Sequence, residues 1–326
     1  MKKMEGELEA ELKGRALRVT QAIEDLVPLE HPRPLYQASR HLVDAGGKRL
    51  RPSMLLLAGE AAGGDPAMLA PAAVSIELIH NFTLIHDDIM DNADMRRGRP
   101  SVHKLWGQSG AILAGDTLYS KAFQVLGLTQ TRPELLLGAM NMLSCTCTAI
   151  CEGQWLDMEF ESRERVSEAE YMEMIEKKTG VLYGAAAGMG ALLAGASPKV
   201  VSAMDEFGRM TGMGFQLQDD VIDLVTPEAV SGKRQGGDLA EAKKTLIMIH
   251  AFANGVEVPV FGERNANPEQ IEKSIAALDR SGSIEYARSR AEEMVEKGKS
   301  ALEVLPLSRA RTTLVQLADY MVKRSY

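Results

Sequence analysis

The sequence predicts an all-α protein, and three observations carry that expectation. Apolar residues recur at i, i+3, i+4 and i+7 through most of the 326 residues, the spacing that lays a stripe along one side of a helix. The alternation of a half-buried strand is nearly absent. The breaks are short and carry Gly, Pro, Asn and Asp, so no long linker separates the segments.

Taken in order, the periodic segments are Leu8 to Leu26, Ser53 to Ala62, Met68 to Asp91, Ile112 to Leu128, Leu135 to Phe160, Glu168 to Ala194 and Lys199 to Leu224, followed by three more from Asn267 onward. Their punctuation is Gly46-Gly47 with Pro52, Gly63-Gly64-Asp65-Pro66, Gly98-Arg99-Pro100, Ser197-Pro198, Pro227, and Asn265 to Pro268. VEVPVF at 256–261 is the one strand-like stretch, weakened by Pro259. The polar segment Thr226 to Lys244 reads as a mobile loop. No period of 20 to 50 residues appears, and one domain over residues 1–326 is expected.

Composition excludes several classes. The 45% hydrophobic and 25% charged residues are those of a soluble globular chain. A net charge of −8 argues against nucleic acid as a partner, because that binding needs clustered Lys and Arg. The charged start MKKMEGELEAELKGR lacks the apolar core of a secretory signal, and three cysteines make no even disulfide framework, so a cytoplasmic location is expected. The longest apolar run, Val181 to Ala196, is shorter than a bilayer span, so no transmembrane segment is expected. Its Gly184 and Gly188 read as close packing between soluble helices.

Against this background LIHDDIMD (84–91) and FQLQDDVID (215–223) stand out. On a helix Asp87, Asp88 and Asp91 crowd one face and repel. The helix C-terminus is already partly negative, which adds roughly 0.3 to 1 kcal/mol per carboxylate. The same local rule is broken at Asp219 and Asp223, and repeated violations of this kind mark sites where something outside the chain compensates. A hard cation is the natural compensator. Oxygen-only clusters suit Mg²⁺, which takes one or two carboxylates and leaves positions for substrate phosphates.

The bases supply the complement. GGKRLRP reads as a helix end, a tight turn and a helix start, holding Lys48, Arg49 and Arg51 at a fixed junction. Arg96 and Arg97 follow the first aspartates, and KKTG (177–180) with SGKRQGGDLAEAKKTL (231–246) adds Lys178, Lys233 and Lys243. Guanidinium forks and ammonium groups in such numbers fit polyphosphate better than carboxylate ligands. No Walker loop, GxGxxG or kinase signature points to a nucleotide.

The ordered series GGKRLRP, ELIHNFTLIHDDIMDNADMRRGRPSVH, GDTL, KKTG, GFQLQDDVID, GKRQGGDL, GSIEYA, LPLSRAR and LADYMVKR resembles the trans-polyprenyl diphosphate synthases over nearly the whole chain. The pattern around Phe82 and Thr83 is most similar to archaeal geranylgeranyl diphosphate synthases. The resemblance implies the isoprenoid synthase fold, a bundle of long helices around a deep apolar cavity, usually as a homodimer. It implies that Asp87, Asp88, Asp91, Asp219 and Asp223 hold about three Mg²⁺, for which Mn²⁺ can substitute, against an allylic diphosphate. Arg96, Lys178 and Lys233 would grip that diphosphate, while Lys48, Arg51, His80 and Arg97 would bind isopentenyl diphosphate. Thr179, Gln216 and Asp238 would support the reacting end. The implied reaction is a short-chain prenyl transfer by ionisation, condensation and elimination from a dimethylallyl, geranyl or farnesyl primer, with geranylgeranyl diphosphate as product.

Phe82 lies five residues before Asp87, about 7.5 Å along a helix axis, where its ring could floor a growing hydrocarbon or simply pack in the core. The family loop usually reads EGK-TLP, whereas this chain has EAKKTLI, with Ala242 for Gly and Ile247 for Pro, leaving open whether Lys243 or Lys244 reaches phosphate. Cys145, Cys147 and Cys151 read as core thiols, because Cys145 and Cys147 point about 200° apart on a helix. His86 reads as an ordinary hydrogen-bonded histidine. A farnesyl or mixed C15/C20 synthase, a class I terpene cyclase and a non-catalytic partner subunit are the alternatives.

Overall fold

The computed structural model describes residues 2–227 and 235–323, with side chains from residue 6 onward. The chain is helical nearly throughout. Its helices are α1 (Lys2–Leu26), α2 (Arg33–Asp44), α3 (Leu50–Ala61), α4 (Ala70–Met90), α5 (Val102–Leu126), α6 (Pro133–Ser162), α7 (Glu168–Ile175), α8 (Val181–Leu193) and α9 (Pro198–Val225). There follow α10 (Gly237–Ala240), α11 (Leu246–Ala253), α12 (Pro268–Arg280), α13 (Ser283–Ala301) and α14 (Arg309–Lys323). A π-helical turn, Glu176–Gly180, joins α7 to α8. Among the described residues the only strands are β1 (Met95–Arg96) and β2 (Arg99–Pro100), an antiparallel pair too short for sequence alternation to reveal.

Two compact units divide the chain. The first comprises Met1–Cys147, Ala185–Asp205 and Val304–Leu314. At its centre α4 packs against α1, α2, α3 and α5, and Ala72 through Ile79 are all buried, including Ser75 and Glu77. That run is apolar almost all round, as a core helix should be. The second unit comprises Thr148–Gly184, Glu206–Glu303 and Val315–Tyr326. There α11 packs on α7 and α13, and α12 on α13.

Local chemistry sets several boundaries. Ser167 and Glu170 form a reciprocal capping box that starts α7, and those hydrogen bonds with help from Arg163 hold the Glu170 carboxyl down at about 2. Asn267 and Gln270 do the same for α12, with Pro268 at its first turn. In α5 the residue Gly107, at φ 71°, interrupts the helix near its start. A side-chain carbon on Gly208 would lie 2.2 Å from the carbonyl oxygen of Tyr183 and 2.7 Å from Gly184 Cα, so the glycine of the apolar run does serve close packing, here against α9.

The strand-like stretch at 256–261 is a turn, as the presence of Pro259 suggests, with Val258 and Val260 buried. Helices α2 and α11 were not among the expected segments, although Leu35, Ala38, Leu42 and Val43 give α2 a helical period, and residues 168–194 contain the π turn rather than one continuous α-helix. Cys147 is buried, whereas Cys145 and Cys151 are exposed, which corrects the core reading for two of the three thiols. Among the described residues one helix, α6, is long and apolar enough to cross a membrane by length and composition, and 28% of its most apolar stretch is buried.

Gly208→Ala should therefore destabilise the fold by about 1–3 kcal/mol through overpacking. Gly14→Ala, in the middle of α1 with no neighbour within 4 Å of the new carbon, should stabilise it by about 0.5–1 kcal/mol. Urea unfolding of the two variants should move in opposite directions.

Candidate active site

At the end of α4 the three aspartates take different surroundings. Asp87 is half-buried, Asp91 caps the helix in the open, and Asp88 has no exposed surface. Consecutive residues on a helix point about 100° apart, so one member of an adjacent pair must turn inward. Asp88 Oδ1 accepts from Arg96 Nε at 2.7 Å and Nη2 at 2.6 Å, while its Oδ2 is buried without a partner. Burial pushes the Asp88 carboxyl upward and Arg96 pulls it back. Among the described residues no three His, Cys, Asp or Glu side chains converge closely enough to form a metal cage of their own. The donor set does fit a hard divalent cation that takes its remaining oxygens from a substrate: Asp87 and Asp91 present carboxylates at an open helix end beside a buried carboxylate oxygen that lacks a donor.

The basic residues of the first unit converge on the same helix. The turn between α2 and α3 has Gly46 at φ 81° and Arg49 at φ 49°, and it leaves Lys48 exposed. Arg51 Nη1 and Arg97 Nη2 each lie 3.4 Å from His80 Nε2. Burial first, and the charges of Arg51 and Arg97 second, hold His80 well below the ordinary imidazole value, so the ring is neutral and its Nε2 can accept from these guanidinium groups. Arg51, His80, Arg96 and Arg97 thus stand on α3, α4 and the hairpin that follows α4, and Lys48 on the turn that leads into α3.

In the second unit a cavity of about 110 Å³ brings together Lys178, Thr179, Gln216, Asp238 and Lys243 of the predicted residues. Its lining includes Asp157, Tyr171, Lys178, Thr179, Gln216, Asp220, Asp238 and Lys243. Lys178 donates to Asp157, and Thr179 Oγ1 donates to Gln216 Oε1 at 3.0 Å. Gln216 Nε2 donates to Asp220 Oδ1 at 3.0 Å, and the Tyr171 hydroxyl donates to Asp220 Oδ2. Both oxygens of Asp220 are thus committed to protein donors, and burial, with the Asp238 charge second, pushes its carboxyl well up. Asp219 and Asp223 sit half-buried on α9. Asp223 Oδ2 accepts the Asp238 backbone N–H at 3.0 Å, which ties the start of α10 to the end of α9.

Lys178 and Thr179 stand on the π-helical turn, a feature that often marks functional sites. The turn presses on α6, where a side-chain carbon at Gly153 would lie 2.3 Å from Lys178 N. Lys243 Nζ pairs with Asp238 at 3.4 Å and Glu241 at 3.2 Å, while Lys244 Nζ donates to the Glu161 carbonyl at 3.1 Å. Burial works against the Lys243 charge, but the two acids outweigh it and raise its pKa above the usual lysine value. Of the two lysines, Lys243 is the one beside the acid in the cavity wall. Lys233 lies outside the described residues.

Phe82 is half-buried, edge-on to His86 at 4.8 Å and to Tyr119 at 5.3 Å, and Thr83 Oγ1 bonds back to the His80 carbonyl. His86 Nε2 lies 3.2 Å from the Ile112 carbonyl, an ordinary hydrogen-bonded histidine. Sequence reasoning passed over Asp157, Tyr171 and Asp220. Asp220 lies inside the second aspartate motif, and Tyr171 stands seven residues before Lys178, on the same side of an α-helix, which was the available signal.

A model of the polyprenyl synthetase family matches residues 32–278. This chain belongs to that family. Polyprenyl synthetase relatives cover it almost end to end. It is 54% identical to the geranylgeranyl diphosphate synthase of Methanosarcina mazei over 316 residues, 97% of this chain and 98% of the relative. It is 45% identical over 324 residues to the geranylfarnesyl diphosphate synthase of Natronomonas pharaonis, covering 94% and 95% of the two chains. The solved structure of the geranylgeranyl pyrophosphate synthetase of Geoglobus acetivorans superposes with a TM-score of 0.92 at 46% identity, covering 96% and 99%. The all-α isoprenoid synthase fold follows for this polyprenyl synthetase.

One departure from the family loop has a structural cost. Ala242, where the family usually has Gly, sits at φ 58°, a left-handed conformation that crowds a side-chain carbon. Ala242→Gly should stabilise the protein by about 1 kcal/mol. The urea midpoint should rise, and an unchanged or lower midpoint would show that the strain is offset locally.

Proposed function

We infer that this polyprenyl synthetase is a short-chain trans-prenyltransferase that joins isopentenyl diphosphate to a dimethylallyl, geranyl or farnesyl diphosphate and releases pyrophosphate, with geranylgeranyl diphosphate as product. The observation that carries the reading is the near full-length likeness to the Methanosarcina mazei geranylgeranyl diphosphate synthase. The side-chain geometry supports it, because each unit presents bases beside aspartates in the pattern a diphosphate requires.

In this reading residues 1–326 act as one catalytic domain. Asp87 and Asp91 of the first motif and Asp219 and Asp223 of the second would hold Mg²⁺, which when bound would supply positive charge against the departing pyrophosphate. Arg96, Lys178 and Lys233 hold the allylic diphosphate, with Lys178 exchanging Asp157 for a phosphate oxygen. Asp88 acts through Arg96, and Lys243 and Asp238 complete the wall. The C1–O bond of the allylic substrate breaks and leaves an allylic cation. The neutral oxygens of Thr179 and Gln216 stabilise that cation without trapping it. The isopentenyl double bond, presented from Lys48, Arg51, His80 and Arg97, attacks C1, and a proton then leaves C2 of the isopentenyl unit for pyrophosphate.

Phe82 is assigned as the floor that limits product length, with Thr83 beside it. A relative 45% identical is named for a longer product, geranylfarnesyl diphosphate. The chain is proposed to work as a cytoplasmic homodimer. Leu113 and Leu137 are 57% and 69% exposed on α5 and α6, and a second copy covering them accounts for the apolar surface of α6 better than a bilayer, since Glu152 and Asp157 also lie on that helix.

The decisive test is incubation of the purified chain with Mg²⁺, isopentenyl diphosphate and each primer, followed by sizing of the products. C20 diphosphate is the expected product. Cyclic hydrocarbon formed without isopentenyl uptake would favour a terpene cyclase, and no condensation at all would favour a non-catalytic subunit. Phe82→Ala should shift products to C25 and longer, and an unchanged distribution would remove the floor. Leu113→Glu with Leu137→Glu should halve the mass seen by light scattering; a dimer that persists would place the interface elsewhere.

A further inference from the structure

We propose that Glu77, which lies ten residues before the first aspartate motif, is the positioning residue for the isopentenyl diphosphate site, acting through Arg49 and Asn81. The inference rests on the function proposed above and adds a residue that no substrate touches.

Glu77 is 2% exposed and flanked by Ile76 and Leu78, neither with any exposed surface. A carboxylate in such surroundings needs partners. Its Oε1 accepts from Arg49 Nη1 and from Asn81 Nδ2, the latter at 2.9 Å. Asn81, also without exposed surface, donates a second bond from Nδ2 to the Glu77 carbonyl at 2.8 Å. These two bonds fix which way the amide faces, so Asn81 Oδ1 is left to accept from Arg97 Nη1 at 3.2 Å.

The same carboxylate therefore governs two backbone segments. Through Arg49, whose Nη2 donates to the Val43 carbonyl at 2.6 Å, it holds the turn that presents Lys48 and Arg51. Through Asn81 it orients Arg97, whose Nη1 also donates to the carbonyls of Gly46 at 2.7 Å and Leu42 at 3.0 Å. Arg49 and Arg97 both take left-handed backbone conformations, at φ 49° and 52°, which non-glycine residues keep only where their surroundings impose it. Removing the Glu77 charge leaves Arg49 buried without a counter-ion and lets the turn and Arg97 drift apart. The three cations meant for one diphosphate then lose their common geometry. On the allylic side, Lys178 bonds to Asp157 and Thr179 to Gln216.

The test uses the full chain with Glu77→Gln and, separately, Asn81→Ala, which keeps the Glu77–Arg49 pair and removes the amide that links Glu77 to Arg97. Steady-state kinetics should give a rise in KM for isopentenyl diphosphate on the order of tenfold or more for Glu77→Gln and a smaller rise for Asn81→Ala. The KM for the allylic substrate should move by less than about twofold in both. Calorimetric titration with isopentenyl diphosphate and with inorganic pyrophosphate, without primer, reads the same site without turnover and should weaken in the same order. Unchanged affinity in both variants, or equal loss for the two substrates, overturns the proposal while leaving the synthase reading intact. A wild-type chain that binds pyrophosphate but forms no product overturns the synthase reading, and the pyrophosphate affinities then still decide the role of Glu77. A wild-type chain that binds neither ligand sinks both. Should Glu77→Gln fail to fold, Asn81→Ala alone decides.

Discussion

The closure of Arg96 onto Asp88 is the interaction on which the first unit's functional surface depends. A carboxylate with no exposed surface is tolerated only when matched by donors, and Arg96 aims two of them at one oxygen. That bond holds the hairpin Met95–Pro100 against the end of α4. The hairpin carries Arg97, and Arg97 in turn grips the carbonyls of Leu42 and Gly46 at the turn before α3. Acidic and basic features that look separate in sequence are therefore one construction, assembled outward from a single buried ion pair.

The second unit repeats the logic with different atoms. In each DD pair one residue turns inward and bonds to the protein, Asp88 through Oδ1 to Arg96 and Asp220 through both oxygens to Tyr171 and Gln216. The other, Asp87 or Asp219, stays half-buried. The crowding expected of aspartates on one helix face is relieved by this division, which leaves fewer carboxylates to be neutralised from outside. It also gives the inward residue a mechanical task, since Asp220 dictates how the Gln216 amide faces Thr179.

What the sequence disclosed follows the strength of the local signal. Long helices such as α4, α6 and α9 were legible because their apolar stripes persist over many turns. The aspartates and the GGKRLRP bases were legible because they violate helix-end preferences. Helix α2 was legible in the spacing of Leu35, Ala38, Leu42 and Val43 but was passed over, while the hairpin was hidden because two-residue strands have no period. Asp157 and Tyr171 owe their place in the cavity to partners in other helices, a relation that spacing along the chain does not encode. The strand-like stretch at 256–261 forms no strand, in keeping with Pro259, which removes a backbone donor.

The winding between α7 and α8 has a geometric payoff. In an unbroken α-helix Tyr171 and Thr179, eight positions apart, would face directions about 80° apart, whereas seven positions bring side chains back to within about 20°. The extra residue absorbed at Glu176–Gly180 lets Thr179 count as the seventh step. Thr179 can then look onto the wall that Tyr171 supports, with its hydroxyl on Gln216 at 3.0 Å, while Lys178, one position earlier, reaches Asp157 on α6. A slip in helical phase thus aims a hydroxyl at the cavity where an ideal helix would send it well to one side.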